Sequence, residues 1–183
     1  MSYPTEPAFV IHAQGWDENL LKHPMMKFLH AHEKVFDAKD FEACKAYYAS
    51  DITFVKGTGE TFTGQAAVEA MHAEYAMFPA SFHEPVYGVI SDNANGGHRL
   101  LGYARMFVNL PGGGGEANNT THADLQGRKW DCQAHGSFLF DVVKDETGPL
   151  GYKFTYYQVF ANPLPILGEA IKRGIIPVEA LSG

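Results

Sequence analysis

Cysteine is almost missing from this chain. Only Cys44 and Cys132 occur, far apart and in no CxxC pattern, so neither a disulfide scaffold nor a zinc ribbon is expected. Basic residues are also few: 14 Lys+Arg stand against 21 Asp+Glu, the net charge is −7, and no basic run occurs, so nucleic acid is not an expected partner. No apolar stretch nears the roughly 18 residues that signal a membrane helix, and no membrane partner is expected. The opening residues, MSYPTEPAFVIHAQGW, lack a basic start followed by an apolar run, so no signal peptide is read and the expected setting is the cytoplasm. Without an export signal, the Asn-x-Thr sequons at Asn118 and Asn119 carry little meaning.

Several motifs of catalysis and cofactor binding are lacking too. The nine histidines include no HExxH, and His30 and His32 lie two apart on different faces of a helix, so no metal site is expected. The GGGG run at 112–115 is followed neither by Lys-Ser/Thr nor by a helix, and reads as part of a loop. There is no GxSxG elbow and no GxGxxG after a strand, and no cofactor is expected.

Aromatic residues are plentiful: nine Tyr, thirteen Phe and two Trp bring the aromatic share to 13%. That suits either a well-filled core or an apolar cavity with a few polar handles. The 183 residues are read as one domain, with 1–23 as an N-terminal arm and 163–183 as a C-terminal tail or lid. Pro24 opens a helix whose stripe is Met25, Phe28, Leu29, His32, Val35 and Phe36. The "DAKD" stretch breaks it, and Asp40 caps a second helix carrying Phe41, Cys44 and Tyr48 inward. "SDITFVKGTGETFTG" reads as a β-hairpin, and a third helix over 65–78 places Val68, Met71, Tyr75 and Phe78 on one face. Pro79 stops that helix. Strands follow over 82–91, 99–110, 129–144 and 152–162, with "PGGGGEANNTTHADLQG" as a long flexible connection. The class is α+β: a curved antiparallel sheet wrapped around three helices.

This order of elements resembles the cone-shaped fold of nuclear transport factor 2, ketosteroid isomerase and SnoaL-type polyketide cyclases. Within it, "FDAKDFEACKAYYASDITFVK" (36–56), "LLGYARMFV" from Leu100 and "AHGSFLF" (134–140) resemble scytalone dehydratase, over roughly residues 24–160. The resemblance implies that Asp37 matches that family's catalytic aspartate at the end of the first helix, and His83 one of its histidines. Its two tyrosines fall at Phe36 and Lys56, its other histidine at Leu110, and its serine and asparagine at Gly136 and Phe138. Turnover of scytalone itself is therefore not implied. The remaining Asp and His also resemble the acid/base dyad of the dehydrochlorinase branch.

The chemistry of the residues supports that pair. An aspartate bonded to one imidazole nitrogen fixes the tautomer and leaves the other nitrogen to accept a proton. The bland alternative makes Asp37 a turn cap and His83 a strand-edge residue. Lys56 either points into the cone and stabilises a developing oxyanion, or is solvated. With Gly136 and Phe138 facing inward, as the resemblance implies, strand parity turns Cys132, Ala134 and Phe140 inward with Thr155, Tyr157 and Val159, and leaves His135, Ser137, Tyr103 and Arg105 outside, Tyr103 and Arg105 as interface candidates. The expected catalytic residues are His83, Asp37 and Lys56; the expected substrate contacts are His32, Phe36, Tyr48, Phe138 and Tyr157. A lone histidine on an apolar face such as His32 is more often a hydrogen-bonded core residue than a catalyst.

Function is expected to be dehydration, cyclisation or isomerisation of a hydrophobic, oxygenated polyketide- or terpenoid-type small molecule. A non-catalytic carrier using the same cavity, or an interaction module using the outer sheet face, are the alternatives. A homo-oligomer, dimer or trimer, is expected because this fold often pairs sheet to sheet.

Overall fold

Local rules set where each element starts and stops. A computed structural model describes residues 9–112 and 122–181 of the chain. A short strand, β1 (Phe9–His12), precedes α1 (Pro24–Asp37), which opens on a proline where no N–H is needed, while the His23 side chain accepts the Met25 N–H at 3.2 Å. Helix α1 ends in a Schellman turn: Lys39 N–H reaches the Phe36 carbonyl and Asp40 N–H the Val35 carbonyl, with Lys39 at φ 61°. A residue with a Cβ costs about 1 kcal/mol there, and this lysine side chain is used at the site described below. Asp40 Oδ1 accepts the Ala43 N–H at 3.0 Å and so caps α2 (Phe41–Cys44).

Next come the hairpin β2 (Tyr48–Val55) and β3 (Thr61–Thr63), then α3 (Gly64–Ala76), β4 (Ala80–Asp92) and β5 (His98–Asn109). A separate two-stranded ribbon, β6 (His122–Ala123) and β7 (Lys129–Trp130), precedes β8 (Cys132–Lys144), β9 (Tyr152–Ala161) and α4 (Leu164–Lys172). The expected strand over 129–144 is thus broken at Asp131, whose carboxylate accepts the Leu110 N–H at 2.8 Å and holds Arg173 at 3.0 Å. That acid ties the start of β8 to the end of α4. Gly113–Gly115 and both sequons lie outside the described residues.

The sheet has seven strands in the order β1-β4-β5-β8-β9-β2-β3, curved and open rather than closed into a barrel. It is not wholly antiparallel: β2 runs parallel to β9, because the helices before it deliver the chain at the same end from which β9 starts. Nor is the N-terminal stretch only an arm, since Phe9–His12 pairs with Tyr87–Ile90 as an edge strand. Helices α1 and α3 pack on the inner face, with Met25, Phe28, Phe36, Ile52, Met71 and Phe154 fully buried between the layers. Helix α4 covers a second cluster through Ile166 and Ala170, against Phe78, Val108, Leu110, Cys132 and Ala134.

Strand parity holds along β8, where Cys132, Ala134, Phe138 and Phe140 are buried and His135 and Ser137 exposed. It fails once in β9. Asp141 pairs with Tyr156 and Val142 with Phe154, so Thr155 is the extra residue of a bulge. Phe154 and Tyr157 both turn inside as a result, and Thr155 instead sits with its hydroxyl 3.4 Å from the Asp141 carbonyl. Gly102 is required by packing: a Cβ there would stand 2.4 Å from the Phe138 ring.

Candidate active site

The end of α1 and the start of β4 are brought together by burial of the α1 stripe on the sheet, which sets Asp37 beside His83. Asp37 Oδ1 lies 2.9 Å from His83 Nδ1, and Oδ2 accepts the His83 backbone N–H at 3.1 Å. Ser81, two residues back on the same strand face, donates its hydroxyl to Asp37 Oδ1 at 2.9 Å, and Lys39 donates to Ser81 Oγ at 2.8 Å. The Trp16 indole N–H donates to the His83 carbonyl at 2.8 Å and fixes the strand from its other side.

Electrostatics decide the protonation state of this pair. Burial disfavours a charged imidazole, but the Asp37 and Glu33 carboxylates and the Asp37 hydrogen bond outweigh it and raise His83 to about 9. Burial likewise pushes Asp37 up, yet the His83 charge and the hydrogen bonds from His83 and Ser81 win and hold it below the ordinary carboxylate value. At neutral pH the pair is therefore imidazolium and carboxylate. His83 Nε2–H then donates to the Tyr75 hydroxyl, 3.3 Å away, leaving that hydroxyl's own proton for another acceptor.

Glu33 completes the cluster. It is only 5% exposed, one turn before Asp37 on α1. Its Oε1 accepts from His32 Nδ1 at 3.2 Å, while Tyr48 OH lies 2.8 Å from His32 Nε2. Its Oε2 is 3.1 Å from His83 Nδ1, but that nitrogen has one proton and directs it at Asp37, so Oε2 is buried without a hydrogen bond among the described residues.

Two chambers adjoin this cluster. The inner one, about 60 Å³, has Glu33, Tyr75 and His83 on one wall and Leu29, Phe138, Phe140 and Tyr157 around the rest. Its lining is overwhelmingly apolar, and its size suits one functional group or a few waters. The outer one, about 390 Å³, lies beneath Ile166, Leu167 and Ile176 and shares Tyr75, Met106, Val159 and Ala161 with the first.

Of the residues expected from sequence, His83, Phe138 and Tyr157 line the inner chamber, and Asp37 stands directly behind His83. His32 and Tyr48 are bonded to each other in the core, and Phe36 packs edge-on against Tyr75 at 4.7 Å; none of the three is among the chamber's lining residues. Lys56 stands apart from the pair. It lines the outer chamber with its ammonium 3.6 Å from Glu74 and 3.9 Å from Glu60, so its charge is matched by protein carboxylates. Arg105, on the outer face as expected, is engaged by the buried Glu84.

Sequence reasoning passed over Glu33, Lys39, Ser81 and the contact of Tyr75 with His83. The i, i+4 spacing of Glu33 and Asp37 was the available signal for the first. Glu33, Asp37 and His83 present donor atoms within 4.8 Å of one another and are the residues able to hold a cation here, which would first have to displace the His83 proton.

No protein-family profile and no curated protein sequence matches the chain. Similarity is carried by solved structures. A candidate scytalone dehydratase from Novosphingobium aromaticivorans superimposes with a TM-score of 0.57 at 14% identity, over 79% of this chain and 86% of that one. Aln2 from a Streptomyces species gives 0.55 at 15% identity, over 84% and 98%. Nuclear transport factor 2 from Cryptosporidium parvum gives 0.55 at 11% identity, over 80% and 97%. The chain has the nuclear transport factor 2-like fold.

Proposed function

We propose that this protein is a cofactor-independent enzyme that moves protons on a hydrophobic, oxygenated small molecule of polyketide or terpenoid type. The reaction class is dehydration, cyclisation or isomerisation. The observation that carries the reading is a half-buried Asp37–His83 pair, 2.9 Å apart, at the wall of an apolar chamber. In such a site a charged donor meets substrate oxygen without competition from water.

The roles follow from the protonation state. His83, held charged by Asp37, is the proton donor to a departing or enolising oxygen, directly or through the Tyr75 hydroxyl. This reverses the role that the sequence suggested for His83, because two carboxylates hold its proton at neutral pH. Phe138 and Tyr157 flank the reacting end of the substrate in the inner chamber, and the larger chamber below α4 takes its apolar body. Lys56 and Glu74 give that outer chamber a polar edge. Ile166 and Leu167 of α4, with Ile176 after it, line the outer chamber, and this stretch acts as its lid.

A carrier of an apolar ligand is the second reading, favoured by Gly136 and Phe138 at positions where the resembling dehydratase binds substrate with polar groups. The sheet's outer face, with Leu101 55% and Phe160 51% exposed, supports pairing of two copies there. A cytoplasmic setting belongs to the same proposal.

Water loss from bicyclic β-hydroxy ketones, followed by the absorbance of the conjugated enone formed, tests the enzyme reading. His83→Ala and Asp37→Ala should each lose at least about 10²-fold in rate with unchanged circular dichroism. Full activity in both variants defeats it.

A further inference from the structure

The charged state of His83 leaves a question that the pair itself cannot answer: what takes the proton. We infer that Glu33 is the proton acceptor of this site, removing hydrogen from the carbon next to an oxygen-bearing carbon of the substrate. The inference rests on the acid–base reading above and deepens it.

The chamber's own lining supports the choice by elimination. Among the described residues that line it, Trp16, Glu33, Tyr75, His83 and Tyr157 are those with polar side-chain atoms. The Trp16 N–H is a donor only and is used on the His83 carbonyl. Tyr75 and Tyr157 are both pushed upward, by burial first and by Glu33 second, and are neutral donors at ordinary pH. His83 already holds its proton. Asp37 lies behind His83, is not among the chamber's lining residues and already accepts from three donors: His83 Nδ1, His83 N and Ser81 Oγ. Glu33 remains: the residue lines the chamber, and its Oε2 is a buried carboxylate oxygen with no hydrogen bond among the described residues.

Its partner oxygen is well held. With Glu33 ionised, one tautomer of His32 satisfies every contact: Nδ1–H donates to Glu33 Oε1, and Nε2 accepts the Tyr48 hydroxyl proton. His32 and Tyr48 are thus positioning residues. They orient the carboxylate so that one oxygen is anchored and the other is left without a hydrogen bond, which accounts for a histidine buried to 0% exposure in an apolar core.

The step balances within these groups. Glu33 Oε2 takes the proton, the C–H electron pair becomes the enolate π bond, and the carbonyl oxygen takes the hydrogen bond of Tyr75, whose oxygen is in turn the acceptor for His83 Nε2–H. Return of the proton from Glu33, or loss of a β-oxygen protonated by His83, completes isomerisation or dehydration. The substrate class that fits is an enolisable ketone on an apolar ring system. Its carbonyl lies in the inner chamber, and its remaining body extends past Met106 and Val159 into the outer one.

Exchange of the C1 protons of 2-tetralone in D₂O, read by proton NMR on the full chain, tests this directly. The wild-type protein should exceed the buffer rate, and Glu33→Gln should fall by at least about 10²-fold with circular dichroism unchanged. Glu33→Asp, which keeps the charge beside His83 but withdraws the oxygen by one methylene, should also fall by about tenfold or more. Tyr48→Phe should lower kcat several-fold and leave KM unaltered, the pattern of a lost positioning contact rather than of a damaged pocket. Exchange by Glu33→Gln within twofold of wild type overturns the inference, and if His83→Ala is inactive in the dehydration assay the broader acid–base reading survives. A wild-type protein that leaves 2-tetralone exchanging at the buffer rate overturns it as well.

Discussion

Replacing Asp37 by asparagine keeps the shape of the side chain and removes the charge that does most to hold His83 protonated. In the folded protein His83 is raised to about 9 from an ordinary 6.5, despite a burial that works in the opposite sense. At about 1.4 kcal/mol for each pH unit of that gap, protonation of His83 stabilises the fold by about 3 kcal/mol. The sign follows from the raised value. Below about pH 6.5 both the folded and the unfolded chain carry the proton, and the whole contribution is present. As pH rises, the unfolded chain loses its proton first, and the contribution is gone once the folded His83 titrates near 9. The lowered value of Asp37 reports the same contact from the partner's side and is not added again. Urea unfolding of wild type and Asp37→Asn, followed by Trp16 and Trp130 fluorescence at pH 6.5 and 9.5, should show a stability difference that shrinks by most of about 3 kcal/mol at the higher pH. Histidine ring NMR should place His83 near 9 in wild type and well below that in the variant. A difference that stays constant with pH, or a wild-type His83 titrating near 6.5, refutes the reasoning.

Other perturbations follow from single contacts. Lys39→Gly relieves a left-handed residue at φ 61°, worth about 1 kcal/mol, while removing the ammonium from Ser81; the melting temperature should rise by about 2–4 °C as turnover falls. Gly102→Ala sets a methyl 2.4 Å from the Phe138 ring and drives that ring toward the inner chamber, so it should cost about 1–3 kcal/mol in urea unfolding and weaken 2-tetralone binding. Asp131→Ala strands the buried Leu110 N–H and uncouples Arg173, so a loss of about 3 kcal/mol is expected, together with faster proteolysis of the segment after residue 161. Serine at Cys44 should leave Asp37 and His83 chemistry intact, since burial lifts that thiol to about 12 and keeps it un-ionised; a large loss of exchange rate would contradict this.

Periodicity and turn chemistry by themselves determined most of the elements: the proline start of α1, the Asp40 cap, the hairpin at Gly59, and the inward faces of α1, α3 and β8. Each of these depends on neighbours within a few residues, where backbone sterics and side-chain spacing act directly. The pairing of Asp37 with His83 was legible only by resemblance, because the two lie 46 residues apart and meet through packing of α1 on β4. Tertiary structure alone decided the rest. The bulge at Thr155 is set by how the curved sheet accommodates Phe154 and Tyr157, and the parallel pairing of β2 with β9 by where the preceding helices deliver the chain; no local pattern encodes either. Lys56 belongs to the outer chamber because α3 brings Glu74 to it. Whether His83 gives or takes a proton depends on the sum of burial and two nearby carboxylates, and Coulomb interactions at about 3 Å are settled by three-dimensional placement, never by order along the chain.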